Sequence, residues 1–145
     1  MPKDPTAITV NRFSLTIDSM DLGYFTRCSG LALSVEVDEV VEGGINESPV
    51  YLNTRIRYAP LVVTRPVAAT NVDLCQWVQE SVRRPDRLTG QISCLGTNGE
   101  VVAQWELRDV VPVAWRGPTL DAGSAGIATE EIEFVHGGFF RQGGA

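Results

Sequence analysis

Hydrophobic and polar residues alternate with a period of two along the N-terminal part of the chain. Phe13, Leu15 and Ile17 share one face of an extended segment, as a strand with one buried face requires. The alternation returns over residues 31–37, where leucine and valine alternate with alanine, serine and glutamate. An α-helix has no such period, so the pattern predicts a strand, a turn and a second strand, ended by a Gly-Gly pair at 43–44.

One later segment has the period of a helix. Leu74, Trp77 and Val78 recur at helical spacing and place apolar side chains on one face. Thr70 and Asp73 fit a capping box at its start. These signals predict a helix over residues 71–82 that ends before Pro85 and packs on the sheet through its apolar face.

The rest of the chain reads as strands. Asn98-Gly99 lies between two apolar runs and is the strongest short-range signal for a β-hairpin. In the strand after this turn, we expect the core-facing side chains to be Val101, Ala103, Trp105 and Leu107. The predicted strands cover residues 55–58, 61–63, 91–95, 100–108, 110–115 and 127–136. Six or seven strands with one helix predict a mainly β fold, either a small curled sheet or a β-barrel with a flanking helix.

The length of 145 residues is typical of a single domain. Residues 1–9 form a polar arm without period, and residues 137–145 are expected to be a flexible C-terminal tail. Residues 40–61 are interrupted by glycine and proline and form an excursion longer than most hairpin loops. Such excursions are commonly functional, so we expect this one to be interfacial.

A long strand at an open sheet edge would offer unpaired backbone groups to other chains, and assembly can satisfy them. An acidic strand and a basic cluster after the helix could meet across neighbouring subunits. Together with the excursion they define the predicted intersubunit interface. Its residues are Glu36, Asp38, Glu39, Glu42, Gly43, Gly44, Asn46, Arg55, Arg57, Arg83, Arg84 and Arg87.

Charge and cysteine content exclude some classes of function. The formal charge of −6 disfavours nonspecific binding to a phosphate backbone. Three distant cysteines fit neither a secreted disulfide framework nor a zinc site. The N-terminus lacks the features of a signal peptide, and no stretch approaches the ~20 apolar residues of a membrane span. We therefore expect assembly in the cytoplasm and no membrane anchoring.

The sequence offers no catalytic constellation. His136 is the single histidine and has no motif around it. Cys28 has no flanking pattern that distinguishes it from a small buried hydrophobe. The glycine pairs lack the lysine and hydroxyl residue of a phosphate-binding loop, and the acidic strand lacks the spacing of a calcium loop. We predict a protein that is not an enzyme and has no cofactor or metal.

Several sequence blocks, in order, resemble the inner tube proteins of contractile tails. They are GYFTRCSGL at 23–31, EVVEGGIN at 39–46, RIRYAPLVVTR at 55–65, NGEVVAQWELRDVVPVAW at 98–115 and EEIEFVHGGF at 130–139. The chain departs from the family at Thr64, Arg65 and Pro66, where a Lys-Arg-Gly is usual. The resemblance covers all but the ends of the chain.

This resemblance implies a structural subunit of a phage tail or contractile injection particle. Subunits of that family form hexameric rings in which strands from all members join one barrel, and the rings stack into a tube that conducts DNA or protein cargo without binding it specifically. It also implies a contractile sheath, a baseplate or tip and a terminator as partners. The residues alone leave open an alternative, a monomeric small β-barrel that binds an apolar ligand.

Overall fold

A computed structural model describes residues 9–41, 48–68, 73–84, 86–123 and 126–142 of the chain. Within these ranges the chain forms ten strands and one helix. In chain order they are β1 (Arg12–Ile17), β2 (Met20–Phe25), β3 (Arg27–Ser29), β4 (Leu33–Val40), β5 (Val50–Tyr58), β6 (Leu61–Pro66), α1 (Leu74–Ser81), β7 (Leu88–Leu95), β8 (Val101–Arg116), β9 (Thr129–Val135) and β10 (Gly138–Arg141). No helix in these ranges has the length and apolar character needed to cross a bilayer.

Eight strands form one antiparallel sheet in the order β2-β1-β7-β8-β9-β6-β3, with β10 paired to β8. The order has two ends, so the strand ladder is open. Only Thr26 separates β2 from β3 along the chain, and its N–H donates to Thr64 O at 2.9 Å. One continuous segment therefore joins both ends of the sheet and forces it to curl. The predicted curled sheet is confirmed, although the described residues contain more strands than the six or seven predicted.

The core lies inside the curl of this sheet. Phe13, Leu15 and Ile17 are buried on β1, as their alternation predicts, and Leu61 and Val63 are buried on β6 in the same way. Further buried side chains come from β2, β7, β8 and β9; they are Leu22, Phe25, Ile92, Leu107, Val110, Ile132 and Phe134. The interior is thus filled by the protein's own side chains.

The helix is shorter than predicted. It begins after Asp73, whose side chain accepts a hydrogen bond from Gln76 N at 3.1 Å. Asp73 is therefore the N-cap itself rather than the third residue of a box capped by Thr70, which lies outside the described residues. Leu74 is fully buried, and Trp77 and Val78 pack against the core while remaining partly exposed. The predicted packing face is confirmed.

The predicted Asn98-Gly99 turn joins β7 and β8. Gly99 has a φ of +79°, and Gly96 N donates to Glu100 O at 2.8 Å to close the turn. Strand β8 has sixteen residues and includes the two strands predicted over 100–108 and 110–115. The prediction that Val101 faces the core is wrong, because 53% of its surface is exposed at the turn end of the strand.

Three other predictions need correction. The single turn expected between residues 17 and 31 is replaced by a tight turn at Asp18 and by strands β2 and β3. The C-terminal tail is not flexible over 138–141, because these residues form β10 on β8, with Gly138 opposite Arg108. The excursion at 40–61 is mostly regular, since β5 pairs along the full length of β4 and makes it the returning half of a hairpin.

Candidate assembly interface

Strands β4 and β5 form a second sheet that is separate from the main one. Leu33 pairs with Tyr58 at the base of this hairpin, and Val40 pairs with Val50 at its far end. A bulge after Glu36 accommodates one extra residue, Thr54, whose hydroxyl donates to Glu36 O at 3.1 Å. The hairpin is thus a long, regular two-stranded ribbon.

The register gives the ribbon two chemically different faces. Residues directly opposite each other in an antiparallel pair share a face, and successive residues alternate between faces. Val35 pairs with Ile56, and Glu36 pairs with Arg55. From the base of the ribbon to its middle, one face carries Leu33, Val35, Val37, Ile56 and Tyr58, here called the apolar hairpin face, and the other carries Glu36, Asp38, Arg55 and Arg57, here called the charged hairpin face. Towards the far end the contrast is lost, because Glu39 and Asn53 continue the apolar hairpin face and Val40, Val50 and Leu52 continue the charged hairpin face.

The apolar hairpin face is exposed in the single chain. Val35, Val37 and Ile56 expose 41%, 48% and 52% of their surface. Only Glu36 and Tyr58 are half-buried among the residues of β4 and β5. A two-stranded ribbon is marginally stable by itself in water, and a contiguous exposed apolar patch usually marks an interaction site. This ribbon is therefore the candidate interface.

Three aromatic rings meet where the ribbon joins the body. The centroid of the Tyr58 ring lies 5.5 Å from that of His136 and 5.4 Å from that of Phe139. The His136 and Phe139 centroids are 5.8 Å apart. His136 Nε2 lies 3.1 Å from the carbonyl oxygen of Ala59, just beyond the end of β5. The base of the hairpin is thereby attached to the β9–β10 turn.

The structure places the predicted acidic strand on both faces of β4. Glu36 forms an ion pair with Arg57 and lies 4.0 Å from Arg55 Nε, so its charge is compensated within the hairpin. Asp38 and Glu39 are exposed. Glu42, Gly43, Gly44 and Asn46 lie outside the described residues. The sequence reasoning grouped Arg55 and Arg57 with the interface but did not foresee that they pair with Glu36.

The predicted basic cluster lies at the end of the helix. Arg83, Arg84 and Arg87 are exposed, and in the described part of the chain none of them forms an ion pair with the acidic strand. Arg84 and Arg87 border a groove of about 380 Å³ whose apolar wall includes Trp77 and Leu88. The two predicted charge patches are therefore not brought together within one chain.

A buried ion pair was missed by the sequence reasoning. Arg65 on β6 and Glu130 on β9 are opposite each other, and Arg65 Nε donates to Glu130 Oε1 at 2.7 Å. Arg65 Nη1 also donates to Leu22 O at 2.7 Å. The signal was present in the alternation, since Arg65 continues the buried series of Leu61 and Val63.

Trp115 belongs to the same network. Its indole N–H donates to Glu130 Oε2 at 3.0 Å, and the ring packs against the core. Trp115 therefore has its hydrogen-bond partner within the chain.

The remaining reactive side chains are poorly suited to chemistry. Burial raises the pKa of Cys28 to about 12, so its thiol stays protonated at neutral pH. Burial lowers the pKa of His136, against an opposing effect of backbone contacts with Ala59 and Gly138. Within the described ranges, no group of three His, Cys, Asp or Glu side chains could hold a metal ion.

Residues 9–140 match the model of the T4-like virus tail tube protein family, gp19. The chain belongs to this family. This confirms the resemblance seen in the sequence blocks, and the protein is a structural subunit of the inner tube type. The chain matches no curated protein sequence.

Solved structures of other tube proteins share the fold. In the sheath-tube complex of an extracellular contractile injection system, PVC, in its extended state, one chain aligns with a TM-score of 0.81 and 22% identity, covering 94% of this chain and 91% of that one. A chain of the 6-fold symmetrised baseplate of the anti-feeding prophage aligns with a TM-score of 0.76 and 25% identity, covering 99% and 98%. Hcp1 from Flavobacterium johnsoniae aligns more distantly, with a TM-score of 0.54 and 16% identity over 92% and 96%.

Proposed function

We propose that this tube subunit polymerises as stacked hexameric rings and that the β4–β5 hairpin joins neighbouring subunits within each ring. The observation that carries the proposal is the apolar hairpin face, which a single chain leaves exposed on a ribbon too thin to be stable alone. The 6-fold symmetry of the anti-feeding prophage baseplate that holds a similar chain supports the ring size. Head-to-tail contacts that close on themselves generate rings, and a second such surface generates a stack.

In such a ring, the apolar hairpin face lies against the body of the next subunit. Fully burying a valine, leucine or isoleucine contributes ~1.5–3 kcal/mol, and about half of each side chain on this face is still available for burial. The free edges of β4 and β5 can also pair with strands of adjacent copies. Both effects recur at every interface of the ring.

The charged hairpin face then borders the central channel. It carries Glu36 and Asp38 with Arg55 and Arg57, so opposite charges are balanced on it. A polar, charge-balanced wall favours hydration over adhesion of DNA or protein, and the net charge of −6 disfavours retention of a polyanion. The cargo therefore passes through the channel without specific binding.

The same assembly has outer partners. Chains similar to this one occur in a sheath-tube complex, in a baseplate and in a cap that terminates a tube. We infer a contractile sheath around the tube, a baseplate or tip at one end and a terminator at the other. We also infer that assembly takes place in the cytoplasm and that the role of the protein is structural rather than catalytic.

Charge contacts between subunits add to the hairpin contact. The exposed Glu39, which is on the same side of the ribbon as the apolar hairpin face, lies against Arg83, Arg84 and Arg87 of the next copy. Each exposed pair contributes only ~0.2–1 kcal/mol, but the contact recurs around the ring and makes assembly sensitive to salt. Glu36 contributes less to this contact because Arg57 already pairs with it.

The alternative of a monomeric barrel that binds an apolar ligand is separated from this proposal by one matched pair of variants. Ile56 lies on the apolar hairpin face and Ile127 lies in the loop before β9, and both are more than half exposed. Ile56→Asp should abolish rings and tubes in size-exclusion chromatography and negative-stain images, whereas Ile127→Asp should assemble like the parent. A monomeric parent, or full assembly of Ile56→Asp, would reject the proposal.

A further inference from the structure

The two backbone segments that connect the β4–β5 hairpin to the main sheet lie close together. Gly30 has a φ of +100°, and a Cβ there would lie 2.0 Å from Pro60 O, so only glycine fits. Ala32 N donates to Gly30 O at 2.7 Å, and Ala59 N donates to Ala32 O at 3.1 Å. These contacts hold the two strands of the hairpin together at its base. The direction of the hairpin relative to the main sheet then depends on side chains.

Those side chains are the three rings at the base. Tyr58 is the last residue of β5 and contacts both His136 and Phe139, which flank the turn between β9 and β10. A Cβ at Gly138 would lie 3.3 Å from the Tyr58 ring, so the ring packs directly on this turn. His136 Nε2–H donates to Ala59 O, because a carbonyl oxygen can only accept.

The second ring nitrogen of His136 has a different environment. Nδ1 is buried and has no hydrogen-bond partner in the described part of the chain. The backbone of Gly138 favours the protonated form of the ring, but burial has the larger effect. A neutral imidazole needs no donor at Nδ1, whereas a protonated one would carry a charge and a second N–H at a buried atom that makes no hydrogen bond in the described part of the chain.

Among the residues that the structure describes, no charged side chain is hydrogen-bonded to His136. Asp109 lies against Gly137, Arg108 lies over the Phe140 ring and Arg141 lies over the Trp105 ring. Glu133 is paired with Arg116. The charged and titratable groups on the ends of the elements that meet around His136 are Tyr58 of β5, Arg108 and Asp109 of β8, Glu133 of β9 and Arg141 of β10.

We propose that Tyr58, His136 and Phe139 form a clamp that sets the direction of the assembly hairpin, and that protonation of His136 opens it. His136 and Tyr58 are thus positioning residues, since they act on the interface through the hairpin that they hold. The link from the clamp to tube formation rests on the proposed function. The clamp itself rests on the geometry of the hairpin base alone.

The direction of the pH effect follows from linkage. Burial lowers the pKa of His136, so the closed clamp binds its proton less readily than an open one does. The clamp is fully stable above the ordinary histidine pKa of about 6.5 and weakens as the pH falls from there to the lowered value. Each unit of lowering changes the ratio of open to closed clamps about tenfold over this range. His136 is the single histidine in the sequence, so this response has one source.

The test is hydrogen–deuterium exchange of peptides from β4 and β5 at pH 5.5 and 7.5, on the purified protein in whichever assembly state it elutes. His136→Gln keeps a donor for Ala59 O but does not titrate. It is therefore the control for the intrinsic dependence of the exchange rate on pH. Relative to this variant, the parent should lose hairpin protection at pH 5.5 while β1 and β7 stay protected, and the loss should reach at most about tenfold because this pH is about one unit below the ordinary histidine pKa. Tyr58→Ala should exchange rapidly in the hairpin at both pH values.

Equal pH responses of the parent and His136→Gln would overturn the clamp, and so would parental protection in Tyr58→Ala. Tube yield is scored separately by negative stain. Failure of the parent to form tubes at any pH would reject the proposed function, whereas the exchange data decide the clamp independently. Tubes whose yield falls at pH 5.5 in the parent but not in His136→Gln would support both.

Discussion

Arg65 Nε donates to Glu130 Oε1 at 2.7 Å between two neighbouring strands, and 1% and 9% of these side chains are exposed. The other carboxylate oxygen accepts from Trp115, and the guanidinium also donates to Leu22 O on β2. The network therefore connects β6 to β2, the strand at the opposite end of the open ladder. These side-chain hydrogen bonds reinforce the junction at which the continuous β2–β3 segment joins the two ends of the sheet.

The first prediction concerns this ion pair. Glu130→Ala should lower the free energy of unfolding by ~3–5 kcal/mol, because it leaves a buried guanidinium without its carboxylate. The measurement is the urea midpoint of the purified protein.

Glu131→Ala is the control for this prediction. Glu131 is the adjacent residue, but its partner Arg116 is exposed, so the loss should be small. A double variant, Arg65→Met with Glu130→Leu, should recover much of the stability. Similar losses for Glu130→Ala and Glu131→Ala would contradict a structural role for the buried pair.

The second prediction concerns the helix. Leu74 is fully buried against the core, so Leu74→Ala should cost ~2–5 kcal/mol through lost contacts and a cavity. Val82, directly after the helix, is 83% exposed, and Val82→Ala should stay within ~0.5 kcal/mol. Both are measured by the same urea unfolding. If Leu74→Ala were as stable as Val82→Ala, the helix would not be anchored through Leu74.

The third prediction concerns the charge contact between subunits. Arg83→Glu with Arg84→Glu should reduce tube yield at low salt, because it places like charges against Glu39 of the next copy. Adding Glu39→Arg should restore part of the yield, since opposite charges face each other again. Glu36 is left unchanged so that its pair with Arg57 stays intact. Parental yield of the first double variant at low salt would show that both patches are simply hydrated.

High salt provides the control for this third prediction. Screening shortens the range of exposed charges to ~3 Å at 1 M salt, so the differences among these variants should shrink there. A defect that persists at 1 M salt would indicate damage to the fold rather than a lost charge contact. Far-ultraviolet circular dichroism of each variant distinguishes the two cases.

Local chemistry in the sequence was sufficient to predict much of the fold. The alternation of Phe13, Leu15 and Ile17 identified a buried strand face, and Asn98-Gly99 identified a hairpin turn, because each depends on a few adjacent residues. The helix and its apolar face followed from spacing. Ordered sequence blocks also identified the tube protein family, which the match over residues 9–140 confirms.

The predictions that failed concern features that depend on contacts between residues distant in the chain. Strand β10 begins at the second residue of a Gly-Gly pair and forms because β8 has a free edge at the residues with which it pairs. Nothing in residues 138–141 alone indicates this free edge. Burial of Arg65 is tolerable only because Glu130, 65 residues later, is opposite it. Likewise, local pattern predicted a half-buried strand over residues 31–37, but it could not tell that the single chain leaves both faces of β4 exposed. Sequence determined the helix and most of the strands, while tertiary structure decided which apolar face remains uncovered, since burial is a property of the whole chain.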